Sequence, residues 1–281
     1  MAGYEAFLEA AAEAGLDVEI ARADARESKS VDIQVVGFAG FSLGEYAALT
    51  AAGAVDEIGK GLRIVQDRGV FMQAAGQDDA GENISGMAAA FGKRTEIEAA
   101  VEEAKQGRVL EAVNFNSPIQ TVVAGEIAAL DTFAEVAKAK KIKAKRLPVS
   151  TAFHCALMQP AAEKLLPVLQ KANMKLPKNK IYSDATAEDI MANYSGDIGD
   201  EKKVAEYLAG VMAKQAMSPV YWQEIVENMV SDGAEAIIEI GPGKTLSGLI
   251  KKITKEAVPI HVEDKKSLEE TISALAEKAR G

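Results

Sequence analysis

Apolar and polar positions change period several times along this chain, and each change predicts an element. Tyr4 to Gly15 carries Phe7, Leu8 and several alanines at helical spacing among glutamates, which predicts a helix stopped at Gly15. Ala21 to Ser30 is charged and serine-containing and reads as a loop. The run Ile33 to Ala39 is apolar and rich in β-branched residues, the pattern of a buried strand, and Glu45 to Ala52 returns to helix-forming composition. Asp56-Glu57-Ile58-Gly59 marks a turn, Leu62 to Ala75 is again helical, and the glycines and aspartates of Gly76 to Glu82 break the pattern.

From Gly86 to Ser150 strands and helices alternate compactly. Strand Met87 to Phe91, helix Thr95 to Lys105, strand Val109 to Asn116, strand Thr121 to Gly125, helix Ala128 to Lys140 and strand Lys143 to Val149 follow in order. That order is the ferredoxin-like split βαβ, and the segment is large enough for an inserted subdomain. Beyond Thr151 helices alternate with a few short strands, Ile181 to Ser183 and Ala236 to Ile240 among them. The second runs into Gly241-Pro242-Gly243-Lys244 and a helix from Thr245. The pattern thus predicts an α/β chain with a discontinuous large domain, residues 1–83 and 151–281, around an insert at 84–150.

With 281 residues and 48% hydrophobic composition the chain can bury a sizeable core. It has neither an apolar run of membrane-spanning length nor a basic-then-apolar N-terminus, so no membrane segment and a cytoplasmic location are expected. One cysteine, Cys155, leaves no internal disulfide, and two histidines, His154 and His261, are too few for a histidine-rich metal centre. No metal and no cofactor are therefore expected. A formal net charge of -10 argues against general nucleic-acid binding.

The chemistry concentrates at Gly40-Phe41-Ser42-Leu43-Gly44, between the predicted strand and helix. Small residues two before and two after a serine allow a sharp strand-to-helix turn that leaves its hydroxyl exposed at the helix N-terminus. There the helix dipole and the Leu43 N–H favour negative charge on an attacked carbonyl oxygen. The same pentapeptide also serves as an ordinary turn with a capping serine. A nucleophilic serine needs a base, and His154 is the better of two choices, since His261 lies after a proline in the tail and reads as a surface or strand residue. Cys155, next to His154 on an extended segment, points away from it and reads as a buried small hydrophobe.

Five segments in order carry a resemblance. Gly40-Phe41-Ser42-Leu43-Gly44-Glu45-Tyr46-Ala47-Ala48-Leu49, Arg68-Gly69-Val70-Phe71-Met72-Gln73, Asn114-Phe115-Asn116-Ser117-Pro118, Phe153-His154-Cys155-Ala156-Leu157-Met158-Gln159-Pro160 and Glu239-Ile240-Gly241-Pro242-Gly243-Lys244 are similar to signature segments of the malonyl-CoA:acyl carrier protein transacylases. The resemblance runs from about Val31 to about Lys252. It implies a parallel-sheet, α/β-hydrolase-like large domain with the ferredoxin-like insert. It also implies transfer of a malonyl group from malonyl-CoA through Ser42 to the phosphopantetheine thiol of acyl carrier protein in fatty acid biosynthesis. In it Ser42 and His154 are catalytic, Leu43 N–H is the oxyanion donor, Arg68 holds the malonyl carboxylate, and Asn114 and Asn116 line the substrate cleft. The backbone carbonyl of Gln215 orients the histidine.

Two departures from the family pattern stand out. Phe41 replaces the histidine often found before the nucleophile. The family's first strand and Gly-Gln-Gly turn, which supply a second oxyanion donor, have no counterpart, and this predicts a truncated chain or a weakened enzyme. Two other readings remain: an inactive homologue acting as a binding module, and a serine esterase of the α/β-hydrolase type. The esterase order places the acid between the serine and a histidine near the C-terminus, whereas His154 is mid-chain.

Overall fold

A computed structural model describes residues 2–20 and 32–280; the loop expected at Ala21 to Ser30 lies outside the described residues. In chain order the elements begin with α1 (Ala2–Glu13), β1 (Val18–Glu19), β2 (Ile33–Gln34), β3 (Phe38–Ala39), α2 (Gly44–Ala51) and α3 (Ile58–Ala75). There follow β4 (Ser85–Phe91), α4 (Arg94–Lys105), β5 (Leu110–Ser117), β6 (Gln120–Glu126), α5 (Ile127–Ala139) and β7 (Lys143–Arg146). The chain continues through a short 3-10 turn (Ala156–Met158), α6 (Gln159–Ala172), β8 (Ile181–Tyr182), α7 (Glu201–Gln215) and α8 (Trp222–Ser231). It closes with β9 (Ala236–Ile240), α9 (Thr245–Ile253), β10 (Val258–Val262) and α10 (Lys265–Arg280).

Two predictions need correction. The run Ile33 to Ala39 is not one buried strand: β2 pairs in parallel with β1, β3 pairs in parallel with β8, and residues 35–37 separate them. The run changes partner across residues 35–37, and Gly37 fits there because a Cβ would stand 2.8 Å from the Tyr182 ring and 2.9 Å from the Lys180 carbonyl. The run is also half-buried. The helix expected from Leu62 starts at Ile58, where Lys60 reaches back to Asp56 in an i,i+4 pair at 2.8 Å and steadies the first turn.

Residues 85–146 form a four-stranded antiparallel sheet in the order β5-β6-β4-β7, with α4 and α5 on one face. The two central strands, β4 and β6, are buried on both faces because both are covered, whereas the edge strand β7, Lys143–Arg146, is mostly exposed. Ala88, Ala90, Leu110 and Val123 pack against α4 and α5, while Met87, Ala89, Val113, Val122 and Ala124 pack against Ala152 and Cys155. The second face is what seats the segment carrying His154. Ala152 N–H donates to Ser85 Oγ at 3.0 Å, and Leu147 N–H to the Met87 carbonyl at 2.9 Å.

The rest is helical around short parallel pairs, β1 with β2, β3 with β8, and β9 with β10. α2, α3, α6 and α7 bury Leu49, Ile64, Leu165, Leu169, Leu208 and Met212 together with Ile181 of β8. α8 and α9 close over Tyr182 through Trp222, Ile225, Leu249 and Ile250. α1 and α10 pack through Phe7, Ala11, Ile272 and Ala276 against Ile238 and Ile240 of β9. Among the described residues no helix is long and apolar enough to cross a membrane.

Candidate active site

The turn after β3 places Ser42 in the left-handed region at φ 52°, a conformation that costs on the order of 1 kcal/mol or more for a residue with a side chain. The two flanking glycines are not equivalent. A Cβ on Gly40 would lie 1.9 Å from the Gly44 carbonyl carbon and 2.4 Å from the Glu45 nitrogen, so the start of α2 can approach only a glycine. A Cβ on Gly44 meets nothing within 4 Å.

Three bonds hold the Ser42 peptide. Its N–H donates to Asp184 Oδ2 at 2.7 Å, and its carbonyl accepts from Gln215 Nε2 at 2.7 Å and from the Glu45 N–H at 3.3 Å. Asp184 arrives here because β8 runs parallel to β3, and it lies just beyond the end of β8. The Leu43 N–H, at the mouth of α2, has no acceptor among the described residues.

His154 also has a left-handed backbone, φ 64°, and is buried. Its Nε2 lies 2.7 Å from Ser42 Oγ, and its Nδ1 lies 3.0 Å from the Ser218 carbonyl and 3.2 Å from the Gln215 carbonyl. Both partners of Nδ1 accept only, so Nδ1 carries the proton and the Nε2 lone pair faces the Ser42 hydroxyl. The His154 N–H donates to the Ala216 carbonyl at 3.2 Å, fixing the residue to the same turn. That turn is anchored in the small sheet, where Phe115 N–H donates to the Val220 carbonyl and Val220 N–H to that of Val113. Burial, with the Arg68 charge adding, lowers the His154 pKa to about 4, so the ring is neutral at neutral pH. Among the described residues no carboxylate contacts Nδ1.

Arg68 sits on the buried stripe of α3, between Ile64 and Met72 at i-4 and i+4. Its Nη2 donates to Ser42 Oγ at 3.0 Å and to Gln215 Oε1 at 3.3 Å, and its guanidinium lies 5.4 Å from the centre of the Tyr46 ring. Its Nε is buried with no acceptor, so the cation retains unused donor capacity. The structure therefore brings Ser42, His154, Arg68 and Gln215 together. Gln215 contributes more than its carbonyl, since its amide bridges Ser42, Asp184 and Arg68.

Asn114 and Asn116 lie on β5, buried and one pleat apart, with no hydrogen bond to Ser42, His154 or Arg68; Asn116 Oδ1 has no partner. Cys155 is buried, its thiol pushed up to about 12 by burial, and unlike the thiolate of a reactive cysteine it is protonated at neutral pH. His261 lies in β10, nearly buried, 3.7 Å from Glu263. Phe41 packs on Trp222 with ring centres 5.7 Å apart. Among the described residues no group of three or more His, Cys, Asp or Glu is placed to hold a metal ion. The sequence reasoning missed Asp184, Glu45 and Ser218. An acid among the apolar residues of α2 was a usable signal for Glu45, whereas Ser218 acts through its backbone and leaves none.

The assembled groups can activate a serine hydroxyl and bind an anion beside it. A family model described as acyl transferase domain matches residues 12–270. The malonyl CoA-acyl carrier protein transacylase of Escherichia coli is 40% identical over 217 residues, 76% of this chain and 65% of that protein. Its Bacillus subtilis counterpart is 37% identical over 244 residues, 85% of this chain and 71% of that protein. This chain thus spans slightly under two thirds of the length of the E. coli relative. The crystal structure of malonyl CoA-acyl carrier protein transacylase from Clostridium perfringens is similar with a TM-score of 0.79 at 34% identity, covering 98% of this chain and 77% of that one. A malonyl-transacylase in complex with a type II PKS acyl-carrier protein is similar with a TM-score of 0.78 at 32% identity, covering 97% and 78%.

Proposed function

The chain belongs to the acyl transferase domain family, and from that premise we propose that it transfers a malonyl group from malonyl-CoA to the phosphopantetheine thiol of acyl carrier protein, in fatty acid biosynthesis. The observation that carries this reading is one hydroxyl with two partners: Ser42 Oγ lies 2.7 Å from His154 Nε2 and 3.0 Å from Arg68 Nη2.

In the first half-reaction Ser42 Oγ attacks the thioester carbonyl while His154 Nε2 takes its proton, and the Leu43 N–H donates to the oxyanion. Collapse breaks the C–S bond, and His154 returns the proton to the departing thiolate of CoA. In the second, His154 deprotonates the carrier thiol, which attacks the seryl ester, and the proton goes back to Ser42 Oγ. The carbonyls of Gln215 and Ser218 hold the imidazole in the required tautomer, a role that Ser-His-Asp hydrolases give to a carboxylate. Arg68 turns from Ser42 to the malonyl carboxylate, which its planar fork grips with two parallel bonds. Asn114 and Asn116 line the cleft on the side of the small sheet.

We read the architecture as an α/β-hydrolase-like large domain, residues 1–83 and 151–281, carrying a ferredoxin-like insert at 84–150; the strand order β5-β6-β4-β7 supports the second part of that reading. The proposed steps use side chains and backbone alone and invoke no cofactor, and a cytoplasmic location belongs to the same proposal. Radiolabelled malonyl-CoA incubated with the chain and holo acyl carrier protein tests the reading. Label should pass to the carrier with the native chain and not with Ser42→Ala or His154→Ala. Absence of transfer by the native chain would overturn it.

A further inference from the structure

Behind the nucleophile lie two carboxyl groups without a cation between them. Glu45, in the first turn of α2, and Asp184, past β8, are both fully buried. Asp184 Oδ2 accepts from the Ser42 N–H and, at 3.0 Å, from Gln215 Nε2, while the Asp184 N–H donates to Glu45 Oε1 at 3.3 Å. The Asp184 N–H thus joins the two residues, behind the peptide that Asp184 Oδ2 holds. Yet Glu45 Oε2 and Asp184 Oδ1 are buried and receive no N–H or O–H donor.

The charged and titratable groups facing the pair are Arg68 from α3 and Tyr46 from α2, with His154 across Ser42. Arg68 Nη2 donates to Ser42 Oγ and Gln215 Oε1 and, among the described residues, Arg68 donates to neither carboxyl, though its charge favours an ionised Asp184. Two carboxylates buried side by side, one accepting from the backbone N–H of the other's residue, cannot both keep their charge away from water. One proton between them supplies the missing donor and leaves a single charge to accept from Ser42 and Gln215.

We propose that Glu45 and Asp184 share one proton and act as one positioning unit, holding the Ser42 peptide in its left-handed turn and the Gln215 amide in the orientation that presents Arg68. Gln215 is the relay: its Nε2 reaches Asp184 and the Ser42 carbonyl, its Oε1 faces Arg68, and its own carbonyl faces His154 Nδ1. Neither carboxyl touches the substrate. Burial pushes both groups above the ordinary carboxylate range; the Asp184 charge adds to this at Glu45, while Glu45 and Gln215 act the other way at Asp184, so the proton is held on the Glu45 side. The proposal rests on the reading of Ser42 as a nucleophile.

The test counts donors. Glu45→Gln and Asp184→Asn each place one permanent N–H at the contact, so each slows Ser42 modestly, by about fivefold to tenfold. Combined, they set two NH2 groups against each other, because each amide oxygen is already needed by a backbone N–H. The double variant should therefore lose more than the product of the singles, at least about a hundredfold. The readout is the rate at which a fluorophosphonate labels Ser42 in the full chain, with malonyl loading measured in parallel and thermal midpoints for every variant. A double variant no worse than the product of the singles overturns the proposal. If the double variant does not fold, the pH profile of labelling decides: the alkaline change as the native pair loses its proton should vanish in Glu45→Gln, and its persistence at the same pH overturns the proposal. A native chain that takes the fluorophosphonate but not malonyl defeats only the proposed acyl group. One that takes neither defeats the nucleophile and this inference with it.

Discussion

Arg68→Ala removes the cation that, among the described residues, touches the nucleophile. Arg68 is 6% exposed, so little solvent screening weakens its interactions. Two charge-assisted hydrogen bonds to a malonyl carboxylate contribute about 1.5 to 3 kcal/mol each. Against this gain stand the bonds Arg68 gives up on binding, to Ser42 Oγ at 3.0 Å and Gln215 Oε1 at 3.3 Å. The net is about 3 kcal/mol, or roughly two orders of magnitude in rate. Acetyl-CoA makes no such contact, so its loading should hold or rise, the more so because removing the nearby charge lets His154 regain basicity. Arg68→Lys recovers only part of the malonyl rate, since an ammonium cannot form the parallel pair. The assay is rapid-quench mass measurement of acyl-enzyme with each thioester, alongside thermal midpoints. Equal loss of malonyl and acetyl loading in a folded Arg68→Ala chain would make Arg68 structural and refute the reasoning.

Three further outcomes are expected. The His154 pKa of about 4 predicts that kcat/KM, which reports the free enzyme, stays level down to about pH 4 and falls below it; Arg68→Ala should move that limb to higher pH, and a native limb near 6.5 would contradict the burial argument. Gly40→Ala should abolish folding or Ser42 reactivity, because its Cβ would collide with the backbone of α2, whereas Gly44→Ala should shift stability by no more than about 1 kcal/mol; thermal denaturation compares them. Lys140 and Arg146 are engaged by Glu103 and Asp131, leaving Lys141 and Lys145 exposed for an acidic carrier, so Lys141→Glu with Lys145→Glu should raise KM for acyl carrier protein and spare malonyl loading, and an unchanged KM would exclude the patch.

The order and type of elements from β4 to β7 were legible because alternating patterns separated by polar turns leave little choice of period. Ends moved by only one to three residues, as the helix predicted at Thr95 to Lys105 and found at Arg94–Lys105 illustrates. The break in Ile33 to Ala39 was hidden, because the two ends of the run pair with different strands, β1 and β8, and no local pattern records either pairing. Ser42 was legible through local turn geometry. Its surroundings were not: Asp184 is 142 residues away and reaches Ser42 through the pairing of β3 with β8, and no local pattern records that register. Arg68 carried a signal that helical spacing alone could expose, a cation in line with Ile64 and Met72 on an otherwise apolar stripe.

The most direct test of the account is the intact mass of the chain after brief exposure to malonyl-CoA with no carrier protein present. The account predicts a single added malonyl group, mapped by peptide fragmentation to Ser42, lost on addition of holo acyl carrier protein, and absent from Ser42→Ala. An unmodified native chain, or a malonyl group on any residue other than Ser42, would contradict it.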